Sequence, residues 1–271
     1  MVWIMNSRQF IRPKKKLKQL KSCFFVYDLS ACLRFVILLI YLNMNNINIQ
    51  LPEYEEMMKA GMHFGRKKTV FNPSMKQFVH TSKENIYILD LVKTVGALSV
   101  AVDFFKKMKD EGKITLFVGI TKQSADIVKD AAKELGMPYM VNRWIGGTLT
   151  NFKTINDRIK YMFELEQRLS SPEKMEGYTK KEKLMMEKEL QKVTDKFEGI
   201  KNMPKLPDLI FVSSIKESQL PIREAHRMGI KTVGIVNTDS DPKQLDYPIP
   251  ANDNARKSVE IILNVIKNSL K

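Results

Sequence analysis

At 271 residues, 44% hydrophobic and 28% charged, the chain is too apolar for a disordered polyelectrolyte and too charged for a membrane-embedded bundle. Two cysteines cannot build a disulfide framework, and three histidines leave little for a zinc centre. With 45 Lys+Arg against 30 Asp+Glu, the formal charge of +15 asks for a polyanionic partner, nucleic acid ahead of an acidic membrane surface.

Residues 1–43 hold eight basic groups, a single acid (Asp28) and both cysteines, Cys23 and Cys32. The run KKKLKQLK leads into FFVYDLSACLRFVILLIYL, which has the outline of a signal anchor. Asp28 and Arg34 interrupt it, so only residues 35–42 are unbroken, where a spanning helix wants about 20 apolar residues. The bias toward Lys, Asn, Ile, Phe and Leu is that of translated A/T-rich non-coding sequence. The expectation is a start at Met44, with 1–43 an extension outside the folded protein, disordered if made, and no membrane attachment. From Met44 onward there is no cysteine, which suits a reducing compartment.

Residues 51–60 (LPEYEEMMKA) read as a short helix with an early proline and acids in its first turn, stopped by Gly61. Residues 62–76 are basic and irregular, and the short apolar runs at 78–80 and 86–91 predict a hairpin or two adjoining strands. A regular alternation follows: helix 95–108, strand 114–118 (ITLFV), helix 124–135, strand 139–141. It resumes as strand 209–212 (LIFV), helix 217–228, strand 232–236 (TVGIV) and helix 255–268. Apolar strands alternating with amphipathic helices predict a parallel sheet covered on both faces, a doubly wound three-layer α/β/α sandwich.

An inserted segment, 151–202, separates the halves 44–150 and 203–271. Phe152, Ile155, Ile159, Met162 and Leu169 step by three and four, as do Met186, Leu190, Val193, Phe197 and Ile200. Breakers between the two series predict an antiparallel coiled-coil hairpin zipped by these side chains, with Glu166 an imperfection in the seam. The spacing also predicts a separate arm, folding apart from the sheet core. Met203-Pro204 to Leu206-Pro207 is its stiff return.

No catalytic system stands out. Gly119-Ile-Thr-Lys122 follows a strand and opens a helix, but it lacks the spacing of a phosphate-binding loop, and a lone glycine there usually lets the chain turn. Asp239 and Asp241, with Asp246 and Asp253 nearby, could hold a divalent cation for a nucleotide- or sugar-phosphate-handling enzyme, though such sequences are also ordinary turns. His63 and His226 stand alone. The basic, aromatic-studded stretches carry more. GMHFGRKKTVFNPSMK at 61–76 supplies Arg66, Lys67, Lys68 and Lys76, and RWIGGTLTNF at 143–152 places Arg143 beside Trp144 before a Gly-Gly turn, with Lys153 just beyond. Such surfaces suit RNA phosphates and unpaired bases; equally, Phe64, Phe71 and Trp144 can plug the core.

HFG at 63–65, NPSM at 72–75, RWIGGTLTNFKTI at 143–155, LPDLIFV at 206–212 and DYPIPANDNA at 246–255 closely resemble, in order and spacing, the bacterial small-ribosomal-subunit protein two family. The resemblance runs from Met44 to the C-terminus. It implies a flavodoxin-like domain with a protruding helical hairpin, no enzymatic activity and no cofactor. It also implies a cytoplasmic, ribosome-bound protein that contacts 16S ribosomal RNA and neighbouring small-subunit proteins, including the large messenger-binding small-subunit protein one. The chain departs from the family pattern at Arg66, where a second His is usual, at Ser213 in place of Asp, and at Asn237-Thr238-Asp239, which reverses Asp-Thr-Asn. Ala251 and Asn254 stand for the usual Gly and Asp. These changes put any shared ion site in doubt.

Overall fold

The computed structural model describes residues 51–170 and 178–270, so the expectations for 1–43 and for the breakers at 171–177 lie outside the described residues. Five parallel strands, β4 (Thr115–Val118), β5 (Tyr139–Met140), β6 (Leu209–Val212), β7 (Lys231–Val236) and β8 (Tyr247–Pro250), lie in the order β5-β4-β6-β7-β8. Counted from β4 this is 2-1-3-4-5, the flavodoxin-like order expected of the family. β4 pairs in register with β6, Thr115 opposite Leu209 and Val118 opposite Val212, and both strands are buried at every position. Continuous apolar sequence is what a strand covered on both faces requires. β8 has no such signature. Its sequence YPIP carries two prolines that cannot donate to a ladder, which only an edge strand tolerates, and β8 is an edge.

Side chains alternate across the sheet. On one face Phe117 and Phe211 meet Phe105 of α2 (Leu91–Asp110), each ring centroid 6.3 Å from that of Phe105. The N-terminus of α2 is fixed by Asp90, whose Oδ1 accepts from the Val92 N–H at 3.0 Å. Helices α3 (Ala125–Leu135) and α7 (Arg256–Leu270) complete this layer, α7 packing on both α2 and α3. On the opposite face Leu116, Val118, Ile210 and Val212 share one buried cluster with Ile222 and Ala225 of α6 (Gln219–Met228).

The inserted segment forms α4 (Phe152–Ser170) and α5 (Lys180–Phe197), which pack side by side, with Tyr161 Oη–H donating to Glu189 Oε1 at 3.0 Å. A Thr179–Glu182 capping box starts α5. The expectation that its apolar stripe zips a separate arm is corrected here. Ile155, Ile159 and Met162 are buried in the same cluster as the sheet residues Leu116 and Ile210, and so are Phe197, Ile200 and Met203 from the far end of the segment. Leu165 is buried where Leu169 was expected, and Glu166 is no flaw in a seam: Lys201 Nζ meets its carboxylate at 2.8 Å. Periodicity reveals that a helix has an apolar face but not what covers it. α4 therefore serves as part of the covering layer of the sheet, while Leu184 and Met185 of α5 are exposed.

Ahead of the sheet, α1 (Tyr54–Lys59) leads into a three-stranded antiparallel sheet in the order β1-β3-β2, from β1 (Phe64–Lys67), β2 (Val79–Lys83) and β3 (Ile86–Leu89). Glu84 and Asn85 both take positive φ (49° and 64°), as a two-residue hairpin turn demands. β1 lies in the stretch expected to be irregular. Gly65 explains its position: a Cβ there would stand 2.6 Å from Thr238 Cγ2 and 2.9 Å from the Tyr87 carbonyl, so only glycine lets β1 run this close to the end of β7. No described helix is long and apolar enough to cross a membrane.

Candidate nucleic-acid interface

In a doubly wound sheet a small ligand binds beyond the carboxyl ends of the strands, at the point where strand order reverses. Here that point lies between β4 and β6, and side chains fill it. Ser124 Oγ is 2.8 Å from Ser213 Oγ and 2.7 Å from Thr121 Oγ1, with Ser124 and Ser213 both buried. A Cβ on Gly119 would stand 2.6 Å from Val128 Cγ2, so that glycine makes room for α3 rather than for a phosphate.

The neighbouring carboxylates are also taken. Asp253, 2% exposed, accepts from Arg66 Nη2 (3.1 Å), Asn237 Nδ2 (2.8 Å) and Ser214 Oγ (2.7 Å). Arg66 Nη2 also donates to Asn254 Oδ1 at 3.0 Å, and its Nε lies 3.5 Å from Asp239 Oδ2, which Lys216 Nζ approaches to 3.6 Å. Asp241 accepts from the Lys243 N–H at 3.1 Å and caps a short helical turn. The Asp239/Asp241 pair is thus occupied within the fold, and nothing in its surroundings supports a phosphate-handling enzyme. Arg66, expected to meet a phosphate, has its guanidinium turned toward Asp253, Asn254 and Asp239, where it ties β1 to the sheet edge. Most positions at which the chain departs from the family pattern meet in this one network, with Ser213 beside it.

His63 packs its ring 4.0 Å from that of Phe64, and burial pushes its pKa down by penalising the charged form. His226 Nε2–H donates to the Gln244 carbonyl at 2.8 Å.

The Gly-Gly loop is organised by a residue the sequence did not announce. Glu224, on α6, accepts from Trp144 Nε1–H (3.0 Å) and the Gly147 N–H (2.9 Å) with one oxygen, and from the Leu149 (3.0 Å) and Thr150 (3.3 Å) N–H groups with the other. Burial pushes its pKa up, but the hydrogen bonds from Trp144, Gly147, Leu149 and Thr150 outweigh that and hold the carboxyl below its ordinary value. Turn amides that converge on an anion are a ready phosphate cradle, and here the anion is the protein's own. Trp144 is only 5% exposed, which corrects its expected role as a stacking surface for RNA. A ring flanked by a cation in sequence can point either way, and its N–H partner decides.

Among the expected RNA contacts, Lys67, Lys68, Lys76, Arg143 and Lys153 are exposed, and their side chains make no hydrogen bond or ion pair among the described residues. Lys67 ends β1 and Lys68 follows it, and Lys76 lines a recess with Phe71 and Tyr87 beside the small antiparallel sheet. Arg143 stands elsewhere, on the rim of a cleft of about 750 Å³ between the Gly-Gly loop and helices α4 and α5. Arg158 and Lys196 share that cleft; reading the outer faces of these helices as solvated surface missed both. Placing the helix ends beside the Gly-Gly turn was the available clue.

A family model described as Ribosomal protein S2 matches residues 57–271. A small ribosomal subunit protein uS2 of Bifidobacterium animalis subsp. lactis is 40% identical over 215 residues, covering 79% of this chain and 71% of the relative. One from Fusobacterium nucleatum subsp. nucleatum is 39% identical over 216 residues, covering 80% and 87%. Another, from Coprothermobacter proteolyticus, is 40% identical over 216 residues, covering 80% of each chain. Identity at this level across both layers of the sandwich leaves no other origin for the fold and its blocks: the chain belongs to the ribosomal protein S2 family.

Proposed function

We propose that the protein is a non-catalytic structural component of the small ribosomal subunit, working on cytoplasmic ribosomes in support of translation. Its partners in this reading are 16S ribosomal RNA and neighbouring small-subunit proteins, with the messenger-binding small-subunit protein one among them. The observation that carries the reading is the family match over 57–271, to relatives named as small-subunit proteins. Lys67, Lys68, Lys76, Arg143 and Lys153 are the residues we assign to phosphates: each is exposed and unpaired, so neutralising a phosphate releases counterions without breaking a protein contact. Residues 44–150 and 203–271 form the RNA-binding body in this reading, and 151–202 extends it. Sedimentation of the native protein tests the proposal. Co-migration with small subunits, and release as salt rises, are expected. A free soluble pool with metal-dependent activity, or a pellet that needs detergent, refutes it.

A further inference from the structure

The cleft beside the Gly-Gly loop has the construction of a binding site, and the preceding reading uses only Arg143 of it. Its volume of about 750 Å³ lies within the range that encloses most of a small ligand. The walls are apolar, with Ile145, Ile155, Val193 and Phe197 among the lining residues, and the floor is fixed. Trp144 is pinned by Glu224, Ile155 and Phe197 belong to the main buried cluster, and Asn142 Nδ2 donates to the Asp195 carbonyl, joining the loop to α5 at 2.6 Å.

Around this apolar recess stand Arg143, Arg158 and Lys196, whose side chains make no hydrogen bond or ion pair among the described residues. The lining holds one acid against these three bases, Asp195. Several polar groups of the lining keep hydrogen-bonding capacity, the Asp195 carboxylate and two asparagine amides among them. Asn142 donates through Nδ2 and leaves Oδ1 to accept, and Asn151 accepts from Thr154 Oγ1 and leaves Nδ2 to donate. An apolar cleft with amide donors and acceptors in its lining and three cations beside them complements an unpaired base whose flanking phosphates lie outside. An apolar peptide would leave three cations unmatched. Duplex RNA offers phosphates on a convex surface and keeps its bases stacked, so it cannot fill the recess.

We propose that this cleft is a single-strand RNA site that takes an unstacked base, with Arg143, Arg158 and Lys196 on the adjoining phosphates. The inference rests on the small-subunit reading and narrows it to one site and one form of RNA. Gly146 provides a clean block, because a Cβ there meets no atom within 4 Å and a side chain is added without strain.

The test uses the full chain and fluorescence anisotropy with a labelled oligo-adenylate of about 12 nucleotides, beside an RNA duplex of matching length. Gly146→Trp and the pair Arg143→Ala/Arg158→Ala are each expected to weaken single-strand binding about tenfold, with duplex binding changed less than about twofold. Unchanged thermal midpoints certify the fold, and the charge pair lies at the surface should the tryptophan variant fail to fold. Co-sedimentation of the same proteins with small subunits separates the two ideas. If the wild type does not co-sediment, the small-subunit reading fails. If it co-sediments while both variants bind the single strand undiminished, or the wild type does not bind the strand at all, the cleft assignment alone is overturned. If the variants keep RNA affinity but their subunits lose a neighbouring protein, the cleft is a protein dock and the proposal is overturned.

Discussion

Glu224→Gln isolates the carboxylate that organises the Gly-Gly loop. In the wild type, two oxygens serve Trp144 Nε1–H and three backbone N–H groups. A glutamine offers a single oxygen, so whichever way the amide turns, two of those donors face an NH₂ group. Hydrogen bonds to a charged acceptor are worth about 1.5–3 kcal/mol, and a buried donor left unpaired costs about 1–3 kcal/mol. The loop amides regain some of this from water. If the amide turns away from it, the Trp144 N–H, on a ring 5% exposed, does not. The expected destabilisation is about 3 kcal/mol, which lowers the thermal midpoint of a domain this size by about 6–12 °C. The sequence has two tryptophans, so urea titration followed by fluorescence in a Trp3→Phe background reports on Trp144 alone. The pH dependence supplies a second check. The folded-state pKa is lowered, so the carboxylate contributes fully above the ordinary glutamate value of about 4.3 and the advantage over Gln disappears as pH falls below it. A loss under about 0.5 kcal/mol, or a difference that persists unchanged in acid, would refute the account.

Arg66→Ala leaves Asp253 and Asp239 without their shared guanidinium, and unfolding free energy should fall by about 3–5 kcal/mol, measured by urea denaturation. Arg66→Lys, whose single nitrogen cannot serve Asp239 and Asp253 together as Nε and Nη2 of the fork do, should recover less than half of that. Deleting 156–195 and closing the gap with a short turn removes Ile159, Met162 and Leu165 from the core; at about 2–5 kcal/mol for each buried side chain, cooperative unfolding by calorimetry should be lost. Lys67→Ala/Lys68→Ala should leave the thermal midpoint in place while reducing the slope of log affinity for 16S RNA against log salt by about 1.5, as filter binding across a salt series would show. An unchanged slope would mean these two lysines touch no phosphate.

The central strands were legible because burial on both faces writes itself into sequence: LFV and LIFV cannot be mistaken for surface. β8 was not, since an edge position permits the prolines that argue against a strand. α4 was located by its period, but its environment was misassigned, because Ile159 and Met162 look the same whether they face another helix or a sheet. The candidate site divides similarly. Exposed lysines beside β1 follow from local sequence alone, whereas the fate of Arg66 depended on Asp253, 187 positions away, and that of Trp144 on Glu224, 80 positions away. Contacts of that span leave no local trace.

The pairing of β4 with β6 has a consequence during synthesis. The two strands are in-register neighbours, yet about 90 residues lie between Val118 and Leu209, and at about 5–20 residues per second the ribosome needs roughly 5–20 s to make them. Through that interval β4, bonded on one side only by two-residue β5, presents an open apolar edge. Met75, Leu89, Trp144 and Leu149 are made before β6 and share the buried cluster with Leu116 and Val118, and α4 adds Ile155, Ile159 and Met162 to it within this window. The inserted segment is thus made before the strand that completes the pairing of β4, and it supplies part of the apolar surface on which Leu116 and Val118 pack.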